Sequence, residues 1–490
     1  GGLGAMGPRA GSLAALGLLR LCWCRAGDSA EEGACKAGGG EDCGGTGTPA
    51  EAAPRRHFWP NKGGNLNASG ASEFAPSRTL GQPTWSYRPS AIVHTSPVID
   101  DESNVYVTDT AGRVISLTKD GVVRWSFQAH GANAGVPALH GDALYCFTDI
   151  GLAFSLKLEN GEVRWSRQVA ASAPADSASA VVTGDIVLIP VSLTLADKSG
   201  NCEILALALE DGGKRWSYSI CDKAQQKSMN VLPSVVSGMV IVHDVNGGMH
   251  AFSVEDGSPR WYHPGPARDT MTTGASATGA ADLAYCGFNY KGYCDEGKGM
   301  VRAHDIFTGE VAWTRTFDRG VNAGVAIGQL GPQGRLAVVA MVSDNFMPAL
   351  QWWEVAALYN SWVPTSWKGW LMERYTFKGT VVALDARTGV TLWMLELGEK
   401  IGWSYVGVER GCLPDCFGTP SIGSDGTVYV NWSAGDALAL HDANGDGRID
   451  IDDPREVSRF HHHFGTNGQT AIAPGLLVAP TCDGIFGWRV

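Results

Sequence analysis

The chain has few charged residues and no long apolar run, and both shortages narrow the class of protein. Asp, Glu, Lys and Arg together make up 18% of its 490 residues, against about 25% in ordinary soluble domains. After residue 30, no stretch provides the roughly 18 consecutive apolar residues of a membrane-spanning helix. The net charge of −12 argues against a nucleic-acid-binding protein, because contacts with phosphates need clustered Lys and Arg.

Glycine and tryptophan, by contrast, are abundant. The chain contains 64 Gly and 17 Trp, and its glycine share is nearly twice the usual share of about 7%. Glycine supplies the positive φ that tight turns need. This composition predicts an all-β protein with many short strands joined by turns.

A repeated pattern runs through the chain from residue 83 onward. Each copy has an alternating apolar run, a turn ending in Gly and a short strand closed by Trp, as in VVALDARTGVTLW. Asp-Gly and Asn-Gly between such runs are strong hairpin signals. The closing residues, mostly 40 to 52 positions apart, are Trp125, Trp165, Trp216, Trp261, Trp313 and, after a long insertion, Trp393. Four strands in each such period predict a β-propeller.

The units number eight, and the two ends of the repeat region complete each other. A seventh unit closes near Phe460, and the last, AIAPGLLVAPTCDGIFGWRV, has only about three strands. The segment 83–89 contains Trp85 without a preceding hairpin. We therefore predict that 83–89 supplies the fourth strand of the last blade and closes the ring without an exposed edge.

These hairpins resemble those of the PQQ-like repeat propellers, eight-bladed relatives of the quinoprotein dehydrogenases. The entry segment FWPNKGGNLNASG…PTWSY (58–87) is similar to the family's lead-in. The resemblance implies that the closing Trp residues dock blade on blade as core residues. The resemblance covers the propeller (58–490); before it, the residue pattern predicts a signal peptide (1–26) and the Gly/Ala/acid-rich composition a disordered linker (27–57).

The dehydrogenases of this family hold pyrroloquinoline quinone on the ring axis. The resemblance implies a vicinal Cys-Cys pair, a Ca²⁺ ion and an Asp base. This sequence has no Cys-Cys pair and no C-x-x-C-H haem motif. Only Asn345, in an Asn-x-x-Pro segment, weakly matches the family's loop near the metal. No catalytic residue is assigned, and fold alone does not give function. We expect a non-catalytic binding or scaffolding propeller; the alternative is a PQQ-dependent oxidoreductase acting on an alcohol or sugar.

Residues 442–453, DANGDGRIDIDD, have the spacing of a calcium loop. Side-chain oxygens at alternate positions of a tight loop converge on one ion, and a glycine at position 6 permits the sharp turn. The alternative is an acidic, solvated turn. The shorter Asp at position 12 resembles dockerin-type EF-hand loops, and we expect a structural role for the ion. The predicted ligands are Asp442, Asn444, Asp446, Arg448 through its carbonyl, Asp450 and Asp453.

The first residues and the cysteines suggest a secreted or luminal protein. Residues 6–26 match a secretory signal, although a low-complexity tail is the alternative. Cys202 and Cys221 are equally far from the centre of the Asp211-Gly212 turn, which predicts a disulfide. Other possible pairs are Cys286/Cys294, Cys412/Cys416 and Cys35/Cys43, and Cys146 and Cys482 are either free or paired with each other. The alternative is a reduced protein with buried thiols.

Two further segments have several interpretations. The insertion at 344–378 contains five Trp. It could cover the central channel of the propeller as a lid, bind a partner, make a peripheral contact with a membrane surface, or pack on the propeller. The triplet His461–His463 lacks a correctly spaced Cys or carboxylate, which favours a solvated strand over a metal site. The expected partner is a protein or glycan bound to one propeller face, with no nucleic acid and no transmembrane segment.

Overall fold

A computed structural model describes residues 55–489, apart from 133, 175–177, 192–201, 221–231, 245–246, 267–277, 281, 291–297, 345–352, 354–356, 358–361, 373–375 and 402–415. The predicted signal peptide lies outside this range, as does the predicted linker up to residue 54. Contacts with the propeller begin at Arg55, whose guanidinium binds Asp101 and Glu102. They therefore start three residues before the predicted boundary at residue 58.

The described residues form eight four-stranded antiparallel sheets, which confirms the eight-bladed propeller. Each of the first seven blades is a meander of four consecutive strands. Blade one consists of β2 (Val98–Ile99), β3 (Val105–Thr108), β4 (Arg113–Leu117) and β5 (Val123–Gln128), and blade two of β6 (Ala138–His140), β7 (Ala143–Phe147), β8 (Leu152–Lys157) and β9 (Val163–Gln168). Blade three consists of β10 (Val181–Thr183), β11 (Ile186–Val191), β12 (Glu203–Ala208) and β13 (Lys214–Ser219), and blade four of β14 (Ser234–Val236), β15 (Met239–His243), β16 (Met249–Ser253) and β17 (Pro259–His263).

The remaining blades follow the same plan, with a helix inserted in blade six. Helix α1 (Thr365–Met372) lies between the second and third strands of that blade. Blade five consists of β18 (Thr278–Ala280), β19 (Leu283–Tyr290), β20 (Lys298–Asp305) and β21 (Val311–Phe317), and blade six of β22 (Ala326–Leu330), β23 (Arg335–Ser343), β24 (Thr376–Asp385) and β25 (Thr391–Ile401). Blade seven consists of β26 (Ser421–Ile422), β27 (Val428–Trp432), β28 (Asp436–Leu440) and β29 (Val457–His461), and blade eight of β30 (Ala471–Ala473), β31 (Leu476–Thr481), β32 (Gly484–Arg489) and β1 (Trp85–Tyr87). No helix of the described residues is long and apolar enough to cross a bilayer.

The N-terminal strand closes the ring, as the sequence predicts. β1 pairs antiparallel with β32, with Trp85 opposite Gly487 and Tyr87 opposite Ile485. The last blade thus takes three strands from the C-terminal end of the chain and one from the N-terminal end. β32 is therefore paired on both sides, and β1 takes the outer position of the blade.

Burial differs between the strands of a blade and explains their sequences. The second strands of most blades are buried on both faces, as in β7 and β15, because neighbouring blades cover them from both sides. Such strands are apolar throughout instead of alternating. The fourth strands, such as β9, are largely exposed apart from their closing Trp. The first strands of neighbouring blades lie against one another and therefore line the axis.

A glycine–tryptophan contact joins most neighbouring blades. The glycine that ends an outer hairpin turn lies on the indole ring of the blade before it, and a Cβ built on it would come within 2.5–2.7 Å of that ring. These glycines have φ of 70–76°, which side chains rarely adopt. The described residues contain six such contacts: Gly121 on Trp85, Gly161 on Trp125, Gly212 on Trp165, Gly257 on Trp216, Gly309 on Trp261 and Gly389 on Trp313.

Hydrogen bonds fix four of these indole rings in place. The Nε1–H of Trp125, Trp165, Trp261 and Trp313 donates to a backbone carbonyl of the following blade, at 2.8–3.0 Å. These four tryptophans therefore connect blades through both packing and a directed bond, and Trp216 does so through packing, which confirms their predicted structural role. The contact of Gly121 with Trp85 joins blade one to blade eight and completes the circle.

The lead-in segment follows the inner rim of the propeller and covers one end of its axis. The backbone of Trp59 exchanges two hydrogen bonds with Ile99 of β2, and the chain then passes the first strands of successive blades. The carbonyls of Pro60, Leu66, Asn67, Ser69 and Gly70 accept hydrogen bonds from Leu139, Val235, Gly279, Ile327 and Ile422, in blades two, four, five, six and seven. Along this path Trp59, Asn61 and Lys62 are at most 2% exposed.

The cysteine predictions need correction. Leu207 pairs with Lys214, so the turn is centred between Glu210 and Asp211, one residue earlier than predicted, and a bulge between Ala206 and Leu207 then shifts the register. Ile220 therefore lies opposite Cys202 and donates to its carbonyl at 2.9 Å. Cys221 is outside the described residues, and its bond with Cys202 stays a prediction.

Two of the alternative pairings are wrong. Cys146 and Cys286 are free, fully buried thiols, which rules out the Cys146/Cys482 and Cys286/Cys294 bonds. Burial raises the pKa of the Cys146 thiol to about 12. The pairs Cys412/Cys416 and Cys35/Cys43 each include a residue outside the described part of the chain.

A matched pair of glycine substitutions should measure the glycine–tryptophan contact. Gly309 and Gly238 have nearly the same φ, 75° and 74°, but only a Cβ at Gly309 would meet an indole, at 2.5 Å. Gly238→Ala should cost about 1–2 kcal/mol from backbone strain alone. Gly309→Ala should cost about 1–3 kcal/mol more through overpacking. Equal losses of stability in urea unfolding would contradict this role.

Buried histidines should make the fold sensitive to acid. Burial lowers the pKa of His304 to about 4 and that of His462 to about 3. The unfolded chain takes up these protons near pH 6.5. The free energy of unfolding should therefore fall as pH drops from about 6.5 towards 3, by at most about 1.4 kcal/mol per unit per histidine. Urea unfolding at pH 7 and 5 should show a smaller decrease in His462→Gln; an unchanged decrease would contradict this.

Candidate functional site

The predicted calcium loop replaces the outer hairpin turn of blade seven. It connects β28 to β29, where the other blades have the outer hairpin turn. Ile449, at position 8 of the loop, is 8% exposed and belongs to the apolar cluster that contains Trp393 of blade six. The loop is therefore anchored in the core between blades six and seven.

The first half of the loop is folded around the carboxylate of Asp442. Its two oxygens accept hydrogen bonds from the backbone N–H groups of Gly445, at 2.7 Å, and Gly447, at 3.0 Å. Both glycines have positive φ, 73° and 77°. The turn therefore needs glycine at these two positions, as the position-6 rule for calcium loops requires.

Three more predicted ligands form the same local hydrogen bond. Asn444, Asp446 and Asp450 each accept a backbone N–H from the residue two positions on, at 2.8–3.0 Å. In Asp446 and Asp450 one carboxylate oxygen is used and the other is left for an ion, whereas Asn444 has only the one oxygen that already accepts this bond. Arg448, the predicted carbonyl ligand, is the backbone donor to Asp446.

Asp453, at position 12 of the loop, already binds another side chain. The guanidinium of Arg455 binds both of its oxygens, at 2.6–3.1 Å. These hydrogen bonds lower the pKa of the Asp453 carboxyl to about 2. An ion in the loop would have to compete with Arg455 for this ligand.

Glu456 belongs to the same site, although the sequence pattern does not include it. It is 2% exposed, and its Oε2 accepts the backbone N–H of Asp450 at 2.7 Å. Its Oε1 is buried and has no hydrogen-bond partner. A buried carboxylate oxygen without a partner is costly, and a cation would satisfy it. The one available signal was its acidic side chain three residues beyond the loop.

The predicted ligands are of the chemical type that calcium binds, but the structure does not bring them together around one point. All side chains concerned offer oxygen, the ligand type that Ca²⁺ takes. Within the described residues, which include the whole loop, no three acidic, His or Cys side chains lie close enough to hold a metal. The loop oxygens would have to turn towards the ion when it binds.

The quinone prediction has little support near the axis. Asn345 lies outside the described residues. Among the described residues, Asn289, Asn322, Ser343 and Phe417 help to enclose a cavity of about 10 Å³, room for about one water molecule. These described residues do not fit a tricyclic quinone, and we derive no chemical step from one.

The histidine triplet is partly buried, not wholly solvated. His462 is 3% exposed, and its Nδ1 accepts the backbone N–H of Phe464. His461 contacts the buried carboxylate of Asp436 at 2.7 Å. The prediction of a solvated segment is therefore wrong for His462, because the turn after β29 folds this side chain into the propeller.

The insertion in blade six exposes an unusual aromatic surface. In helix α1, Trp367 and Trp370 are 68% and 58% exposed, whereas Lys368 and Leu371 are 1% and 3% exposed. Trp353 and Trp362 are also exposed, at 45% and 92%. We call these four residues the tryptophan surface. Because a meander alternates its turns between two ends, this surface and the lead-in lie on opposite propeller faces.

A cleft on the lead-in face was not foreseen from the sequence. It has a volume of about 510 Å³ and lies between residues 55–73 and the first strands of blades two and three. Its lining is mixed and includes Arg55, Arg56, Phe58 and His140. Its size is that of a small-ligand pocket. The segments that form it are far apart in sequence, so no local motif indicated it.

Comparisons with known proteins identify the class of this fold. The model of the repeat family described as outer membrane protein assembly factor BamB matches residues 74–193 and 192–344. This is more than half of the chain, and the chain belongs to that family. No curated protein matches the sequence.

Solved structures with the same fold include a BamB protein and dehydrogenases. BamB from Moraxella catarrhalis is 16% identical, with a TM-score of 0.55 over 84% of this chain and 100% of that chain. Quinohemoprotein alcohol dehydrogenase ADHIIG from Pseudomonas putida HK5 is 11% identical, with a TM-score of 0.60 over 88% and 80%. A europium-containing methanol dehydrogenase is 14% identical, with a TM-score of 0.60 over 87% and 90%. Such likenesses establish the fold alone.

Proposed function

We propose that this protein is a non-catalytic binding or scaffolding propeller whose partner protein docks on the tryptophan surface. The observation that carries the proposal is helix α1, which buries Lys368 and Leu371 and turns Trp367 and Trp370 to solvent. A helix in water normally does the reverse. Exposed aromatic clusters mark interaction sites, and tryptophan is among the residues that dominate binding energy there.

The alternative function is that of a PQQ-dependent oxidoreductase acting on an alcohol or sugar. It is favoured by the fold likeness to quinohemoprotein alcohol dehydrogenases. Against it stand the lack of a vicinal Cys pair in the sequence and the small cavity near Ser343. Quinone-dependent dye reduction by the purified full chain, with added pyrroloquinoline quinone and Ca²⁺, would overturn the scaffolding proposal.

Site-specific photo-crosslinking in the protein's own cells tests the docking surface. A photoreactive residue placed at position 367 or 370 should give a defined crosslinked species. The same residue at Val390, an equally exposed apolar position at 61% in the outer hairpin of blade six, should give none. The variant Trp367→Ser/Trp370→Ser should fail to compete for the partner.

Crosslinks of equal yield at all three positions would contradict the proposed surface. Retention on a glycan array, or sedimentation with lipid vesicles, that is lost in Trp367→Ser/Trp370→Ser would instead assign the surface to a sugar or to a membrane. Both ligands interact with exposed indole rings, so these two assays separate them from a protein partner.

A structural Ca²⁺ ion in the loop at 442–453 is the second part of the proposal. It is supported by the ligand spacing, by positive φ at Gly447 and by the unpaired Oε1 of Glu456. The ion would neutralise the acidic side chains of the loop, which otherwise repel one another. A secreted or luminal location, with the Cys202–Cys221 disulfide, is part of the same proposal, because structural sites of modest affinity are filled at extracellular calcium concentrations.

Calorimetric titration tests the calcium site. Asp442→Ala/Asp446→Ala should abolish binding, because it removes two ligands and the folding centre of the turn. Arg455→Met should tighten binding several-fold, because Asp453 is released from its guanidinium. The control is Asp305→Asn, which changes the corresponding aspartate of the ordinary hairpin turn in blade five. Binding that persists in the double Ala variant would refute the site.

A further inference from the structure

The junction between blades six and seven lacks the glycine–tryptophan contact. Trp393 closes the outer strand of blade six and is 7% exposed. The turn that should place a glycine on its ring is replaced by the loop at 442–453. Gly445 lies beside Pro332 instead, and Gly447 lies 3.8 Å from the carbonyl oxygen of Leu392, as measured from their would-be Cβ atoms.

A gap separates the loop from blade six at this point. Its volume is about 230 Å³. Leu330, Pro332, Arg335, Leu392 and Trp393 line it from blade six, and Asp442, Asp446 and the loop glycines line it from blade seven. The other Trp-bearing junctions have close ring packing here. This junction is therefore the one described Trp-bearing blade contact that is held by an acidic loop.

Ile449 connects the loop to the packed part of the junction. It lies between the predicted ligands Asp446 and Asp450 and shares an apolar cluster with Trp393, Leu440 and the half-buried Leu392. Any change that orders the loop therefore also fixes Ile449 against blade six. On the other side of the loop, Glu456 holds the backbone of Asp450 while its Oε1 remains without a partner.

We infer that the loop is a calcium-dependent clamp that takes the place of the glycine–tryptophan contact between blades six and seven. This inference rests on the proposed calcium site. Ion binding draws Asp442, Asp446 and Asp450 together, with Glu456 as a buried additional ligand. It thereby presses Ile449 into the cluster with Trp393. Calcium then controls the closure of the ring at this junction, which the other closing tryptophans achieve without an ion.

Hydrogen exchange of the full chain, with Ca²⁺ or with a chelator, tests the clamp. Calcium should slow exchange at least tenfold in the loop and also in β25, around Leu392 and Trp393 of blade six. β21 in blade five, with the ordinary contact of Gly389 on Trp313, should not change. Asp305→Asn should behave as the unmodified protein, and Glu456→Gln should weaken calcium binding at least tenfold.

The variant Ile449→Ala separates ion binding in the loop from the effect of the ion on blade six. Calorimetry on this variant should still show calcium binding, whereas the slower exchange in β25 should be lost. If calcium binds the unmodified protein but protects only residues 441–457, the clamp is overturned and the calcium site stands. If calorimetry shows no binding to the unmodified protein, both the site and the clamp are overturned.

Discussion

The fold depends on glycines that have no side chain where an indole must lie. A Cβ on Gly257 or Gly389 would approach the ring of the preceding blade within 2.7 Å, well inside van der Waals contact. At six of the blade junctions the outer turn offers a flat, side-chain-free surface to the ring of the neighbouring blade. The same contact, Gly121 on Trp85, joins the first blade to the last, so a single kind of interaction both repeats and closes the architecture.

The sequence predicts this part of the fold well because each repeat carries a turn glycine and a closing tryptophan at a regular spacing. The strand at 83–89 was also foreseen, since the last unit lacked one strand. The path of the lead-in was not foreseen, because it is held by backbone carbonyls such as those of Pro60 and Ser69, and backbone groups leave no sequence signature. The position of the turn before β13 and the bulge at Ala206, which together set Ile220 opposite Cys202, were not foreseen for the same reason.

The candidate site, too, could be predicted from the sequence only in part. Ligand positions in the loop follow one another along the chain, and the spacing reveals them. Competition from Arg455 for Asp453 and the unpaired oxygen of Glu456 depend on side-chain direction and burial, which spacing does not report. The burial of His462 beside two exposed histidines likewise follows from the turn after β29, not from composition.

The pairing of the first strand with the last has a consequence for biosynthesis. Thr84 and Arg489, which are hydrogen-bonded, are 405 positions apart. At a translation rate of about 5–20 residues per second, the partner of β1 emerges roughly 20 to 80 seconds after β1 itself. During that interval β1 has no strand to pair with, so the last blade, and with it the ring, can be completed only after β32 has been synthesised.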